Sequence, residues 1–383
     1  MKSWPKVALG QLISRADETA VLDPLEQYHE VTIKLWGKGV LSRGKVLGSD
    51  VVSVRRVVRE NQLILSKIDA RNGAIGLVPP ELDGAIVSND FPSFSFNNLE
   101  QCDPAFMGWL VRSTPFVDLC KAASEGTTNR VRIKEDRFLD QQIALPPLAE
   151  QQAIVARLDS LTEKTRQLEA HLDAVERDAE RLLALRFRDA IADAPLRPMA
   201  EVAPLVRREQ SIDLNGSYPE LGIRSFGKGT FHKPPLSGSD VGTKRLFRIE
   251  PDDLLFSNVF AWEGAMAIAK AEDAGRFGSH RFITCVPDRR LTSADFLRYY
   301  FLTDAGMLKI GEASPGGAGR NRTLGLEKLM ALEVPMPSLV AQQTFDHLHA
   351  EVAALKAKHT AIRQANAALL PATLERVFTT GEA

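Results

Sequence analysis

Displaced along itself by 191 positions, the 383-residue chain repeats its own pattern, and this duplication constrains the fold more than any bulk property does. Pro146 falls on Pro337, Leu148 on Leu339, and the pair Gln151 and Gln152 on Gln342 and Gln343. Far upstream the same displacement lays LILSKIDARNGAIG, from Leu63, on LLFSNVFAWEGAMA, from Leu254. It matches Ser66 to Ser257, Ala70 to Ala261, Gly73 to Gly264 and Ala74 to Ala265. Gly84, Ser88 and Phe91 continue in register with Gly275, Ser279 and Phe282. Nine of the 29 positions from 63 to 91 are identical, against roughly two expected from average residue usage. The chain is two copies of one unit.

Each copy has the same plan: an irregular mixed segment, a proline step, then a long helical tract. Short β-rich runs such as QLILSKI, GAIVSN, DLLFSNVF and RFITCVP are punctuated by Gly, Pro and Asn, and helical stretches such as AFMGWLVRSTPFVDLCKAA and DFLRYYFLTDAGMLKI follow them. The class expected is therefore α+β: two similar mixed α/β segments, 1–147 and 194–338, each followed by a long helix, 148–193 and 339–380. The steps LPPLAEQQ and MPSLVAQQ suit helix starts. Proline cannot continue a preceding helix but is tolerated where the first backbone N–H groups lack partners, and Glu150 suits the positive end of the helix.

In the first tract Leu158, Leu161, Thr165, Leu168, Leu172, Val175, Ala179 and Leu182 recur at alternating spacings of three and four. In the second, Phe345, Leu348, Val352, Leu355, His359, Ile362, Asn366, Leu369 and Thr373 do the same. Tracts of this length rise on the order of 60 Å at about 1.5 Å per residue, more than one small unit can cover. The expectation is that the two helices pair as an antiparallel coiled coil. His359 and Asn366 on that stripe either select its register or are solvated.

Charge is uneven. The net formal charge is −1, yet Lys34 to Arg71 carries nine Lys/Arg against three Asp/Glu, and Glu220 to Arg248 six against two. Ala149 to Ala192 is mildly acidic, with seven basic and nine acidic residues. No apolar run reaches the roughly 18 residues of a membrane helix and no signal peptide opens the chain, so no membrane association and a cytoplasmic location are expected. Cys102, Cys120 and Cys285 share no metal-ligand spacing and read as small buried hydrophobes.

No phosphate-binding GxxxxGK[ST], HExxH, GxSxG or CxxC pattern occurs, and neither does the glycine-rich loop with an Asn/Asp-Pro-Pro-aromatic run of a base methyltransferase. Pro251-Asp252 with Glu263 resembles a metal nuclease only superficially, since the nearby lysine is missing. No catalytic or metal-binding residue is assigned. What remains is binding: Arg, Lys, Asn, Ser and aromatic residues on glycine-marked loops are the residue types used on phosphates and base edges. The set in the first copy is Arg55, Arg56, Lys67, Arg71, Asn89, Arg130, Arg132 and Lys134. In the second it is Arg224, Lys228, Lys244, Arg245, Asn258, His280, Arg281, Arg320, Asn321 and Arg322.

Two variable α+β units, each followed by a (L/M)PxL…(E/A)QQ step and a heptad helix, resemble the specificity subunit of type I restriction–modification systems over the whole chain. LPPLAEQQAIVARLDSL and VPMPSLVAQQTF look like that family's paired conserved regions. ILSKIDARNGAIGLVPPELDGAIVSNDF and GGAGRNRTLGLEKLMALEVPMP are similar to segments of its target recognition domains. The second step departs in having Ala341 where the first has Glu150. The resemblance implies that each unit reads one half of a bipartite double-stranded DNA target and that the helices set the unread spacer. It also implies that Pro147, Leu148, Glu150, Gln151, Leu339, Gln342 and Gln343 help dock two methyltransferase subunits, to which restriction subunits add. S-adenosylmethionine, ATP and magnesium would belong to those partners, with no cofactor on this chain. The competing reading is a tandem-domain coiled-coil scaffold for partners other than nucleic acid; the local positive charge discriminates against it.

Overall fold

The computed structural model describes residues 4–126, 131–317 and 322–380. The chain packs into two compact units, the first made of Met1–Asp173 with His359–Ala383 and the second of Ala174–Lys358. Packing thus gathers the segments differently from chain order, because each unit takes part of both long helices.

In the first unit one four-stranded sheet runs in the order Ile13–Ala16, Ser93–Phe96, Leu63–Leu65, Ile75–Leu77, all antiparallel. A second runs Val40–Leu47, Gln27–Ile33, Ile86–Val87, Arg56–Val57, with one parallel pairing between Gln27–Ile33 and Ile86–Val87. The helices Pro104–Leu110, Thr114–Ala122 and Glu135–Leu139 pack on the first sheet, and Phe94, Phe106, Phe116 and Phe138 fill the space between at 0–1% exposure. Ile154 and Leu158 of the first long helix, Leu148–Ile191, belong to that same core, as do Leu374 and Val377 of the second, Leu339–Thr380.

The second unit repeats the plan. Leu254–Ser257 lies between Met266–Ile268 and Phe282–Cys285, and a five-stranded sheet runs Glu209–Gln210, Leu246–Arg248, Phe277–Ser279, Ser217–Ile223, Thr230–Ser237. Its core joins Phe256, Phe296, Phe301 and Ile310 to Leu183 and Phe187 of the first long helix and to Phe345 and Val352 of the second. Phe187 stands 5.0 Å from Phe345 and 5.1 Å from Phe296, ring centre to ring centre. All three cysteines are buried, and burial pushes each thiol up to about 12, out of reach of thiolate chemistry near neutrality.

Within each unit the long helices run antiparallel. In the first unit Arg363 pairs with Glu169 and, at 2.7 Å, with Asp173, while the Asn366 amide donates to Thr165 O at 3.2 Å and Glu169 Oε1 at 2.8 Å. In the second, Lys356 pairs with Glu180 at 2.6 Å. Asn366 is therefore bonded across the pair, and His359 is 6% exposed rather than solvated. The heptad stripe needs correcting toward its far ends. Leu182 is 42% exposed and the buried face passes to Leu183 and Phe187; Leu369 is 46% exposed and Leu370, Leu374 and Val377 take its place; Ile362, in mid-helix, is 41% exposed. A helix of 3.6 residues per turn drifts off a 3.5-residue repeat unless it supercoils throughout, so steps of four take over where the globular cores cover the helix.

The proline steps are closed by one buried side chain each. Gln151, fully buried, donates from Nε2 to Pro146 O at 2.8 Å and Gln101 O at 2.9 Å, and accepts from Asp103 N–H at 2.8 Å. Gln342, also fully buried, donates to Pro337 O and Leu291 O, both at 2.9 Å, and accepts from Ser293 N–H at 3.1 Å and Thr292 Oγ1 at 3.0 Å. Asp103 and Ser293 are themselves the caps of the helices beginning at Pro104 and Ala294. Each glutamine therefore stitches a long-helix start to a helix of its unit. Removing it strands a donor and two carbonyls in the interior, so Gln151→Ala should cost about 2–4 kcal/mol in urea unfolding. Gln152→Ala, at an exposed position, should change stability by less than about 0.5 kcal/mol.

Candidate nucleic-acid interface

The repeat becomes concrete at the hairpin tips. Strands Gln27–Ile33 and Val40–Leu47 are joined through Lys34-Leu35-Trp36-Gly37-Lys38-Gly39, and Ser217–Ile223 and Thr230–Ser237 through Arg224-Ser225-Phe226-Gly227-Lys228-Gly229. Trp36 and Phe226 occupy the left-handed region at φ 60° and 61°. Each is held there by a matched pair of bonds. Trp36 N–H donates to Asn72 O (2.9 Å) and Gly37 N–H to Gly73 O (3.0 Å); Phe226 N–H donates to Glu263 O and Gly227 N–H to Gly264 O, both at 2.8 Å. Gly73 must be glycine here: its own φ is 77°, and a Cβ would stand 3.1 Å from the Trp36 backbone. This explains why Gly73 and Gly264 recur. The tips are absent from the 191-residue alignment because they lie one position out of its register, so a gapless comparison passes over them.

In the first unit the structure brings Arg56, Lys67, Asn89 and Arg132 together. Lys67 N–H donates to Asp90 O and its carbonyl accepts from Ile133 N–H, both at 2.8 Å, so the Asn89 loop and the strand Arg132–Ile133 close on it. Its ammonium meets Glu135 at 2.8 Å, which also takes Arg15 Nε at 2.9 Å; Arg132 meets Asp90 at 2.9 Å. Arg56 donates to Asp17 O at 2.9 Å and Thr19 Oγ1 at 3.2 Å. A cleft of about 320 Å³ opens among Arg15, Arg56, Lys67, Asn89 and Glu135. Arg15 carries no periodic or motif signal that would have found it. Lys134 is exposed just before the helix Glu135–Leu139. Arg55 turns away to Glu30 at 3.1 Å, and Arg71 stands half-buried on the turn Ala70–Asn72. Arg130 lies outside the described residues.

In the second unit Asn258 takes the place of Lys67 with the same backbone bonds, accepting from Leu324 N–H and donating to Arg281 O at 2.8 Å. Its side-chain Nδ2 also donates to Leu324 O at 2.6 Å, fastening the two segments together. Arg322 donates to Ser314 O (3.3 Å) and Gly311 O (3.1 Å), closing the helix Asp304–Glu312, and lies over Trp262. His280 and Arg281 are exposed beside this buckle. Arg224 donates to Thr230 O at 2.6 Å and stacks on Phe231, while Lys228 lies over Phe226. Lys244 and Arg245 are exposed on the strand-edge side, Arg245 in a two-pronged pair with Glu209. Arg320 and Asn321 lie outside the described residues. Exposed pairs of this kind contribute at most about 1 kcal/mol, so a phosphate can compete for these cations at little cost to the fold.

Of the step residues, Pro147 and Gln343 are exposed, while Leu148 and Leu339 are half-buried. Glu150 accepts from Trp4 Nε1 at 3.2 Å. Gln151 and Gln342 are spent inside, so any partner must use their exposed neighbours rather than these two amides. A cavity of about 450 Å³ beside the second step is bordered by Leu339, Gln343, Arg208, Arg289 and Asp295. Among the described residues no three His, Cys, Asp or Glu side chains gather where they could hold a metal ion, and no helix is long and apolar enough to cross a membrane.

Residues 4–177 match the family described as Type I restriction modification DNA specificity domain. An HsdS subunit from Thermoanaerobacter tengcongensis is similar at 22% identity and a TM-score of 0.67, over 99% of this chain and 97% of that one. A chain from work on complex assembly and conformational transition of the type I R-M system is similar at 22% identity and a TM-score of 0.68, over 99% and 98%. No curated protein matches the chain. The two structural likenesses establish the fold, a mixed α/β architecture with two long helices. The match over residues 4–177 and the shared fold bear out the resemblance to type I specificity subunits read from the sequence.

One carboxylate ties the second hairpin down and gives a pH test. Burial pushes Asp273 up, but N–H of Lys270 (3.0 Å), Thr230 Oγ1 (2.8 Å) and His232 (2.9 Å) outweigh it and hold its carboxyl below the usual range. A depressed folded-state value adds stability above the ordinary carboxylate value near 4 and loses it as pH falls through the folded one. Stability measured by urea unfolding should therefore drop between about pH 4 and the acid limit. Asp273→Asn should start less stable at pH 7 and lose less on acidification.

Proposed function

We propose that the whole chain is the DNA-specificity subunit of a type I restriction–modification complex. The observation that carries this is the second unit: residues beyond the matched domain repeat its hairpin tip, glycine seat and Lys67/Asn258 buckle bond for bond. Two readers on one chain fit a bipartite double-stranded DNA target. The recognition segments are residues 1–147 and 194–338, and the candidate contacts are the cations and amides placed above, with Asn258 and Arg322 serving mainly to shape their loops. Phosphate contacts would supply most of the affinity and its salt dependence, and a few base-edge contacts the discrimination.

The long helices, 148–193 and 339–380, serve as the spacer between half-sites. With the proline steps they dock two methyltransferase subunits, through which restriction subunits join. Those partners would carry S-adenosylmethionine, ATP and magnesium, and the chain chooses where chemistry happens without performing it in the cytoplasm.

Replacing residues 1–145 with the equivalent segment of another specificity subunit should change one half of the methylated sequence and leave the other intact, read by methylome sequencing. A change in both halves would defeat the modular reading. Inserting seven residues into each long helix should lengthen the unread spacer without altering either half.

A further inference from the structure

The hairpin tips are not needed for either core. Trp36 is 69% exposed and Phe226 74%, yet both are aromatic residues in a backbone conformation that L side chains rarely adopt. Glycine or asparagine would fill such a turn with less strain. What recurs between the two tips is a pattern: a cation, any residue, an aromatic, then Gly-Lys-Gly, with Lys34 matched by Arg224 and Lys38 by Lys228. The intervening apolar Leu35 does not recur, its counterpart being Ser225. Lys34, Lys38 and Lys228 are exposed and form no ion pair with the described residues.

A surface built to dock a protein would keep the apolar neighbour and extend the patch. Each tip instead keeps an exposed aromatic with one basic residue two positions before it and another two positions after it, Lys228 lying over Phe226 while Arg224 is turned onto Thr230 O and Phe231, and a ring with cations beside it suits a stacked polyanion. Glu263 accepts from Ser225 Oγ at 3.1 Å, and a cavity of about 300 Å³ is lined by Trp36 and Gly37 together with Arg112, Leu370, Leu374 and Glu375.

Building on the reading as a DNA-specificity subunit, we infer that each tip is a wedge that lays its aromatic ring, Trp36 or Phe226, against the bases of one half-site while Lys34 and Lys38, or Arg224 and Lys228, hold the flanking phosphates. The strained backbone, pinned by two hydrogen bonds to the glycine seat, presents the ring already oriented, so less ordering is needed on binding.

The test uses the full chain and a mixed-sequence duplex of about 30 base pairs, with affinity followed against salt, and selection of bound duplexes from a random pool. Trp36→Ala should weaken binding about tenfold or more, and Trp36→Phe should recover most of it. Lys34→Ala with Lys38→Ala should flatten the slope of log affinity against log salt by about two. Phe226→Ala should relax the selected sequence in the half that Trp36→Ala leaves intact. Variants with normal unfolding midpoints that bind as tightly and selectively as the parent chain would overturn the inference. So would loss of methyltransferase co-purification with DNA binding unchanged, which would make the tip a protein contact. If the parent chain itself shows no salt-dependent duplex binding, the specificity-subunit reading fails first.

Discussion

The structure depends on where two very long apolar stripes are buried. A helix of 44 residues cannot be covered by one small domain, and neither long helix is left to propensity alone. Ile154 and Leu158 sink into one core and Leu183 and Phe187 into another; the second helix does the same in reverse, with Phe345 and Val352, then Leu374 and Val377. Along the way Arg363, Asn366 and Lys356 bond across to Glu169, Asp173, Thr165 and Glu180. Surface ion pairs contribute little individually, but these set the antiparallel register that apolar contacts alone leave loose.

Given that frame, the buried glutamines acquire their meaning. An amide offers two donors and an acceptor in one plane, and at each helix start it satisfies two carbonyls and a helix-capping N–H that would otherwise be stranded. The two units differ in other buried groups. Leu82, 2% exposed, stands in the repeat where the second unit has fully buried Asp273, so one hairpin is seated by apolar packing and the other by hydrogen bonds. The same backbone plan thus tolerates divergent interiors, and divergent surfaces follow even more easily. Reading two different half-sites, as proposed, would need that freedom.

Much of the plan was legible from residue order. The duplication, the helix starts at Leu148 and Leu339, the α+β class and the antiparallel pairing all rest on periodicity and on proline, whose local effects need no tertiary context. The site was legible only in part. Arg56, Lys67 and Asn89 do line one cleft, with Arg132 next to it on Asp90, because short segments close on Lys67, but Arg55 turns to Glu30 and Arg322 to helix carbonyls. The direction of a long side chain depends on which neighbour is nearest, and composition does not carry that. The hairpin tips were hidden by a one-residue offset, although Lys-x-Trp-Gly-Lys-Gly and Arg-x-Phe-Gly-Lys-Gly stand plainly in the chain.

Order along the chain determined two copies, two long helices and an apolar face on each, because hydrophobic spacing and turn residues act over a few neighbours. Only the folded structure decided which leucines are covered, which glutamines are interior and which aromatics stand in solvent. Those outcomes depend on contacts between segments more than a hundred residues apart, such as Asn366 with Thr165, and burial is a property of the assembled whole.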